Sequence, residues 1–244
     1  MIEIPSFRPE SRYGIPTSDL LLFNRQYIVG YSYLFRQPRW AMQVIDESTM
    51  QMEADFDRLD NFREDLRIPE KFRSGLDDYK GSGFDRGHLI NSADRKGSRI
   101  INSETFLLSN MSPQKPDFNR AIWLELEKAV RVLAEKDEFA EVYTNCGPLF
   151  AIGDPIEVIG ENHVVVPDAF FKTVLAERTK PKSTGQLAMW SFVIPNGKTK
   201  KSLKEFLLPT VEVERRAGLQ LWDKLRGEKS DALKTKKGRM WSVR

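Results

Sequence analysis

Ser82-Gly83-Phe84-Asp85-Arg86-Gly87-His88 contains one of only two histidines among 244 residues, the other being His163. Histidine is the side chain whose ordinary pKa, about 6.5, lets it take up and release a proton near pH 7. Imidazole chemistry at neutral pH must therefore use one of these two positions. By itself the run favours a structural histidine over a catalytic base, because titratable residues mark sites only statistically. The preceding Lys80-Gly81-Ser82-Gly83 supplies the backbone freedom for a tight turn into the strand that carries His88.

Working outward, Tyr27 to Leu34 and Ala41 to Ile45 are short, β-branched and aromatic, and read as a strand pair with Gln37-Pro38-Arg39 between them. Glu104 to Ser109, Glu141 to Thr144, His163 to Val166, Phe170 to Ala176 and Leu187 to Ile194 read as further strands. One helix is expected after Pro113 and Pro116, with Asp117 as N-cap, running to about Glu135. Its apolar stripe is Ile122, Leu126, Ala129, Val130 and Leu133. Asn119, Trp123, Glu127 and Arg131 recur every four residues along another line. A step of four on an α-helix drifts by only about 40°, so Asn119, Glu127 and Arg131 can line one side of a cleft. On the helix alone, a merely wetted polar face is the simpler reading. The fold class expected is α+β, with a mixed, mainly antiparallel sheet.

Composition narrows the chemistry. A single cysteine excludes an intramolecular disulfide and a multi-cysteine zinc site, and two distant histidines disfavour a histidine-cluster metal site. A hard cation bound through oxygen remains open. Residues 195–244 carry fourteen Lys and Arg against six Asp and Glu, a net +8 that leaves −5 for the first 194 residues. Such a basic region either steers a polyanion or is a solvated face, and Trp241 within it either stacks on a base or is idle. Cys146 reads as a small buried hydrophobe and His163 as structural. The opening Met1 to Pro9 lacks the basic and apolar segments of a secretory signal, and no stretch has the length of a membrane span. The expectation is a chain without membrane association, cytoplasmic as given, or secreted or periplasmic if processed.

Together with Ser109-Asn110-Met111-Ser112-Pro113-Gln114, Asn119-Arg120-Ala121-Ile122-Trp123, Gly147-Pro148-Leu149-Phe150 and Val166-Pro167-Asp168-Ala169-Phe170-Phe171-Lys172, the opening run resembles the DNA/RNA non-specific endonucleases. These are ββα-metal (His-Me finger) nucleases that include endonuclease G and secreted bacterial nucleases. The resemblance spans about Tyr27 to Leu225. It implies a β-hairpin followed by a metal-bearing helix. The expected division is an N-terminal extension over 1–26, a nuclease domain over 27–226 and a basic tail over 227–244.

By this resemblance His88 is the general base and Asn119 the direct protein ligand to Mg²⁺, with Mn²⁺ as a substitute. Glu127 holds the ion's waters, and Arg131 and Arg86 contact phosphate. Arg86 is counted with His88 and Asn110 in the catalytic group, Asn110 fixing the imidazole or the local backbone. Asp85 is a structural partner. An amide ligand suits Mg²⁺, which sheds water reluctantly and uses few protein oxygens. The implied activity is hydrolysis of DNA and RNA with weak sequence preference, leaving 5′-phosphate ends. A protein inhibitor and a homodimer are among the partners the resemblance suggests. Leu89-Ile90-Asn91-Ser92-Ala93-Asp94 lacks the proline common in relatives, and Phe118 stands where leucine is usual, which puts the loop's support in question more than the reaction. Two rivals stay open: a nucleic-acid-binding protein of the same fold with weakened catalysis, and a phosphodiesterase acting on small nucleotides.

Overall fold

The computed structural model describes residues 8–46, 49, 56–151, 155–182 and 185–243. Met1 to Phe7, part of the stretch read for an export signal, lies outside the described residues. The centre is a seven-stranded antiparallel sheet in the order β1-β2-β3-β6-β9-β10-β11. Its strands are β1 (Leu20–Asn24), β2 (Tyr27–Ser32), β3 (Gln37–Asp46), β6 (Phe139–Leu149), β9 (Ala169–Lys182), β10 (Gly185–Pro195) and β11 (Leu207–Leu208), while β4 (Asp85–His88) pairs with β5 (Met111–Gln114) and β7 (Val158–Ile159) with β8 (Val164–Val165) outside it. Alternate side chains of one strand enter opposite faces. Val29, Ala41, Cys146 and Val174 therefore pack on one face, while Ile28, Met42, Tyr143 and Leu175 pack on the other. Both faces are covered, which explains why β2 reads as a nearly continuous apolar run.

The first face is covered by the long helix, a π-helical stretch Phe118–Trp123 continuing into Leu124–Ala134. Its stripe of Ile122, Leu126, Ala129, Val130 and Leu133 is buried as the periodicity implied. Asp117 does not act as its N-cap. Helical turns begin at Pro116, and Asp117 already has helical φ −66 and ψ −20 with no capping hydrogen bond. Proline's fixed φ suits a first turn, so the start moves upstream.

Two strand readings need correction. Gln37-Pro38-Arg39 belongs to β3, where Pro38 pairs with Tyr31 beside a register shift between Gly30 and Tyr31. The irregularity accommodates the missing proline N–H. Glu104 to Ser109 is no strand. Ser98 caps a short helix, Arg99–Glu104, and the chain continues through a turn to a 3-10 turn, Leu108–Asn110. Only Leu107 makes a β-bridge there, with Arg63.

The ends of the chain are also joined to the core. Residues 20–24, ahead of Tyr27, pair along their length with β2. In the last segment, a helix spans Glu228–Thr235, and Trp241 packs edge-on against Trp190 and Phe192. Its indole N–H donates to the Ala129 carbonyl at 2.8 Å. Trp241 is thus neither idle nor free to stack on a base. Among the described residues no helix is long and apolar enough to cross a membrane.

Candidate active site

The Asp85–His88 run forms β4, paired antiparallel with β5 (Met111–Gln114), so that Asp85 faces Gln114 and His88 faces Met111. Gly81 and Gly83 precede it with φ +71 and +83, the left-handed region in which glycine is unstrained. Gly87 serves a different need. A Cβ at this position would lie 2.1 Å from the Gln114 side chain, so the two strands approach here only because position 87 has no side chain. From β5 the chain turns through Lys115 directly into the long helix. This is the ββα arrangement that the resemblance implied.

Asp85 joins the hairpin to the helix. Its Oδ2 accepts from the Asn119 amide nitrogen at 2.9 Å, and its two oxygens accept from Nε and Nη2 of Arg120 at 2.9 and 2.6 Å. Anchoring the Asn119 nitrogen on a carboxylate turns its carbonyl oxygen away. That oxygen accepts no hydrogen bond among the described residues.

His88 stands beside Phe62 and Phe106, with ring centroids 5.6 and 5.1 Å away in edge-on contacts. Its Nε2 is enclosed and has no hydrogen-bond partner. Burial, reinforced by the positive charges of Arg58 and Arg86, pushes the imidazole down to about 3. It is therefore neutral at pH 7, the form able to accept a proton. Arg86 shares the His88 side of β4 by strand alternation and lies over the Phe62 ring at 4.2 Å. Asn110 does not touch the imidazole. Its fully buried amide accepts from Ile90 N–H at 3.0 Å and donates to the carbonyls of Ile90 and Thr105, each at 2.9 Å, while its backbone carbonyl accepts from Leu89 N–H. It holds the turn that leaves His88.

Glu127 is buried and accepts from the Asn91 amide at 2.7 Å. Burial raises its carboxyl to about 7. The charges of Lys172 and Arg131 and the Asn91 hydrogen bond oppose that rise, while Asp94 adds to it. Arg131 donates to Asp94 at 2.7 Å, and Asp94 also accepts from Gln43. Glu127 and Arg131 therefore face the segment that follows His88, while Asn119 meets Asp85 just ahead of it. The π-helical turns assist this alignment. A π turn holds more residues than an α turn, so a step of four falls short there and overshoots in the α portion, and the two drifts partly cancel between Asn119 and Glu127.

Sequence reading passed over Asn91, Asp94, Arg120, Phe62 and Lys172. Lys172 is the most informative omission. It is buried on β9, with Nζ 4.5 Å from the centre of the Trp123 ring. A lysine among Phe170, Phe171 and Val174 was the available signal, because an unpaired lysine seldom stays buried. Cys146 is buried, its thiol pushed up to about 11 by burial, and it donates to the Leu89 carbonyl at 3.2 Å. His163 is exposed in a turn with φ +54.

Among the described residues no three His, Cys, Asp or Glu side chains cluster as metal ligands. The oxygens available to a cation are few and hard: the Asn119 amide oxygen, with Glu127 on the same side of the helix. Such a set suits a hydrated Mg²⁺ and would poorly suit zinc.

The pattern defining the DNA/RNA non-specific endonucleases matches residues 9–228. Human mitochondrial endonuclease G is 35% identical over 219 residues, covering 86% of this chain and 71% of its own length. The mitochondrial nuclease of Saccharomyces cerevisiae is 36% identical, covering 91% and 71%. Nuclease C1 of Cunninghamella echinulata is 34% identical, covering 88% and 87%. A chain from the crystal structure of the EndoG/EndoGI complex, described with the mechanism of EndoG inhibition, superposes with a TM-score of 0.83 at 32% identity. That match covers 93% of this chain and 95% of the other.

Proposed function

Because this chain belongs to the DNA/RNA non-specific endonuclease family, we propose that it hydrolyses both DNA and RNA with little sequence preference, through His88 as general base and one hydrated Mg²⁺. The observation that carries this reading is the Asp85 junction, which orients the Asn119 amide on a helix that also presents Glu127 and Arg131.

In this reading the Asn119 carbonyl oxygen and the Glu127 carboxylate would hold the ion and its waters, and Mg²⁺, or Mn²⁺ in its place, would when bound relieve charge on the phosphoryl oxygens. His88 does the proton work. With Nε2 enclosed against Phe62 and Phe106, Nδ1 is the nitrogen assigned to the water. As the water oxygen bonds to phosphorus, its proton passes to Nδ1. The bond from phosphorus to the 3′ oxygen breaks, the phosphate stays on the 5′ side, and the released 3′ oxygen takes a proton from solvent water to leave as a hydroxyl. Arg86 contacts the scissile phosphate. Arg131, held by Asp94 through one nitrogen, has further donors for a flanking phosphate. Asn110 acts as a positioning residue. Backbone and phosphate contacts position a nucleic acid without reading bases, so sequence preference is weak. The EndoG/EndoGI complex motivates a protein inhibitor as a partner for this chain too.

The test is digestion of plasmid and of structured RNA with Mg²⁺, with and without EDTA. Both polymers should be cut, EDTA should stop the reaction, and the products should carry 5′ phosphates. His88→Ala should lower cleavage by roughly 10² to 10⁴ while DNA binding persists. Undiminished cleavage by that variant would remove His88 from the mechanism.

A further inference from the structure

Beyond β10 the chain runs Asn196-Gly197-Lys198-Thr199-Lys200-Lys201 and then Ser202-Leu203-Lys204. Lys198, Lys200, Lys201 and Lys204 are all exposed, and among the described residues none of them forms an ion pair. The nearest carboxylate in sequence, Glu205, is bonded to the N–H and hydroxyl of Ser202 and feels the charges of Lys201 and Lys204 without pairing with either.

The root of this loop is fastened to the active site. Asn196 is buried. Its amide nitrogen donates to the carbonyls of Pro113 and Pro167 at 3.1 and 2.9 Å, and its oxygen accepts from Lys115 N–H at 2.9 Å. The Lys115 carbonyl in turn accepts the N–H groups of Phe118 and Asn119, both at 2.9 Å. Two hydrogen bonds therefore separate the base of the lysine loop from the backbone of Asn119. All three polar functions of a buried amide are used to set that relationship. Crowding like charges within four residues is unfavourable unless an anion faces them. A phosphodiester backbone alongside the cleft would supply that anion, whereas residues 1–194 are net negative and would not otherwise attract one.

We propose that Lys198, Lys200 and Lys201 form a phosphate track beside the start of the helix that carries Asn119, which grips the backbone of a nucleic-acid polymer beside the bond to be cut. The inference rests on the nuclease reading for the identity of the polymer. The track contacts phosphates only, so it raises affinity for long substrates without adding sequence preference.

The experiment uses the full chain with His88→Ala and a fluorescein-labelled 30-base-pair duplex, with binding followed by anisotropy between 50 and 200 mM NaCl. Each lost phosphate contact lowers the slope of log affinity against log salt by about 0.9. Lys198→Ala/Lys200→Ala/Lys201→Ala should therefore reduce the slope by roughly 2 to 3 and weaken binding at least about tenfold at the lowest salt. Lys236→Ala/Lys237→Ala, removing exposed charges from the last segment, should change the slope by less than about 1. An unchanged slope in the triple variant overturns the track. So does an equal loss per charge in both variants, which would show net charge acting without a local surface. Plasmid cleavage by the unmodified chain is read separately: no cleavage alongside a reduced slope would defeat the nuclease reading and leave the track standing.

Discussion

The Asp85 carboxylate accepts a hydrogen bond from the Asn119 amide nitrogen at 2.9 Å, joining the strand that carries His88 to the helix that carries Glu127. A side-chain amide can rotate to present either end, and this bond selects oxygen outward. Asp85→Ala should therefore weaken Mg²⁺ dependence by roughly 10- to 100-fold, the usual effect of removing a group that orients a metal ligand. Calorimetric titration with Mg²⁺ and the Mg²⁺ concentration for half-maximal cleavage both read this. Asp85→Asn should restore part of the loss, because its oxygen can still accept from Asn119. Equal Mg²⁺ affinity in the alanine variant would refute the orienting role.

Glu127 and His88 pull stability in opposite directions with pH. The metal-free protein holds the Glu127 carboxyl up at about 7, so it keeps a proton that the unfolded chain loses near 4.5, and stability falls as pH rises through that window. His88, held down to about 3 from 6.5, acts the other way, and its contribution is lost as pH drops below 6.5. Glu127→Gln should accordingly stabilise the metal-free protein at pH 8, by up to about 3 kcal/mol, while sharply reducing Mg²⁺-dependent cleavage. Urea denaturation at pH 5 and pH 8 checks the sign: the gain should be larger at pH 8. A gain that is the same at both pH values would show that burial of the charge is not its source.

Asn110→Ala removes three hydrogen bonds to the backbone of Ile90 and Thr105 at a buried position. Leaving those groups unpaired should cost about 2 to 4 kcal/mol. If the role is positioning, kcat should fall more than substrate affinity, since the turn sets the placement of the His88 imidazole and not the phosphate contacts. Thermal denaturation together with separate kcat and KM values decides between positioning and direct substrate contact.

Trp241→Ala should destabilise the fold by about 2 to 4 kcal/mol, through lost packing on Trp190 and Phe192 and loss of its bond to Ala129. Nucleic-acid affinity of the folded variant should be unchanged below its melting temperature. Weakened binding with full stability would return Trp241 to a base-stacking role.

The α+β class could be read from strand patterns spread between Tyr27 and Ile194, and the helix stripe and the line Asn119, Glu127 and Arg131 from local periodicity, whereas the association of His88 with that line came from the resemblance. The motifs concerned lie within 47 residues, Asp85 to Arg131, where order in sequence translates into order along one hairpin and one helix. The error over Glu104 to Ser109 shows the limit of that logic: an apolar run long enough for a strand was diverted by a serine cap and by the Asn102 and Asn110 amides binding backbone. Pairing across the sheet then decided what no local pattern contains. It set Lys172 of β9 beneath Trp123 and near Glu127, folded the last basic segment against Trp190, and fastened the lysine loop at Asn196 to the start of the long helix. The physical reason is that buried charges and amides must find partners wherever the backbone delivers them. Those partners are far apart in sequence and become neighbours only when the strands are in register.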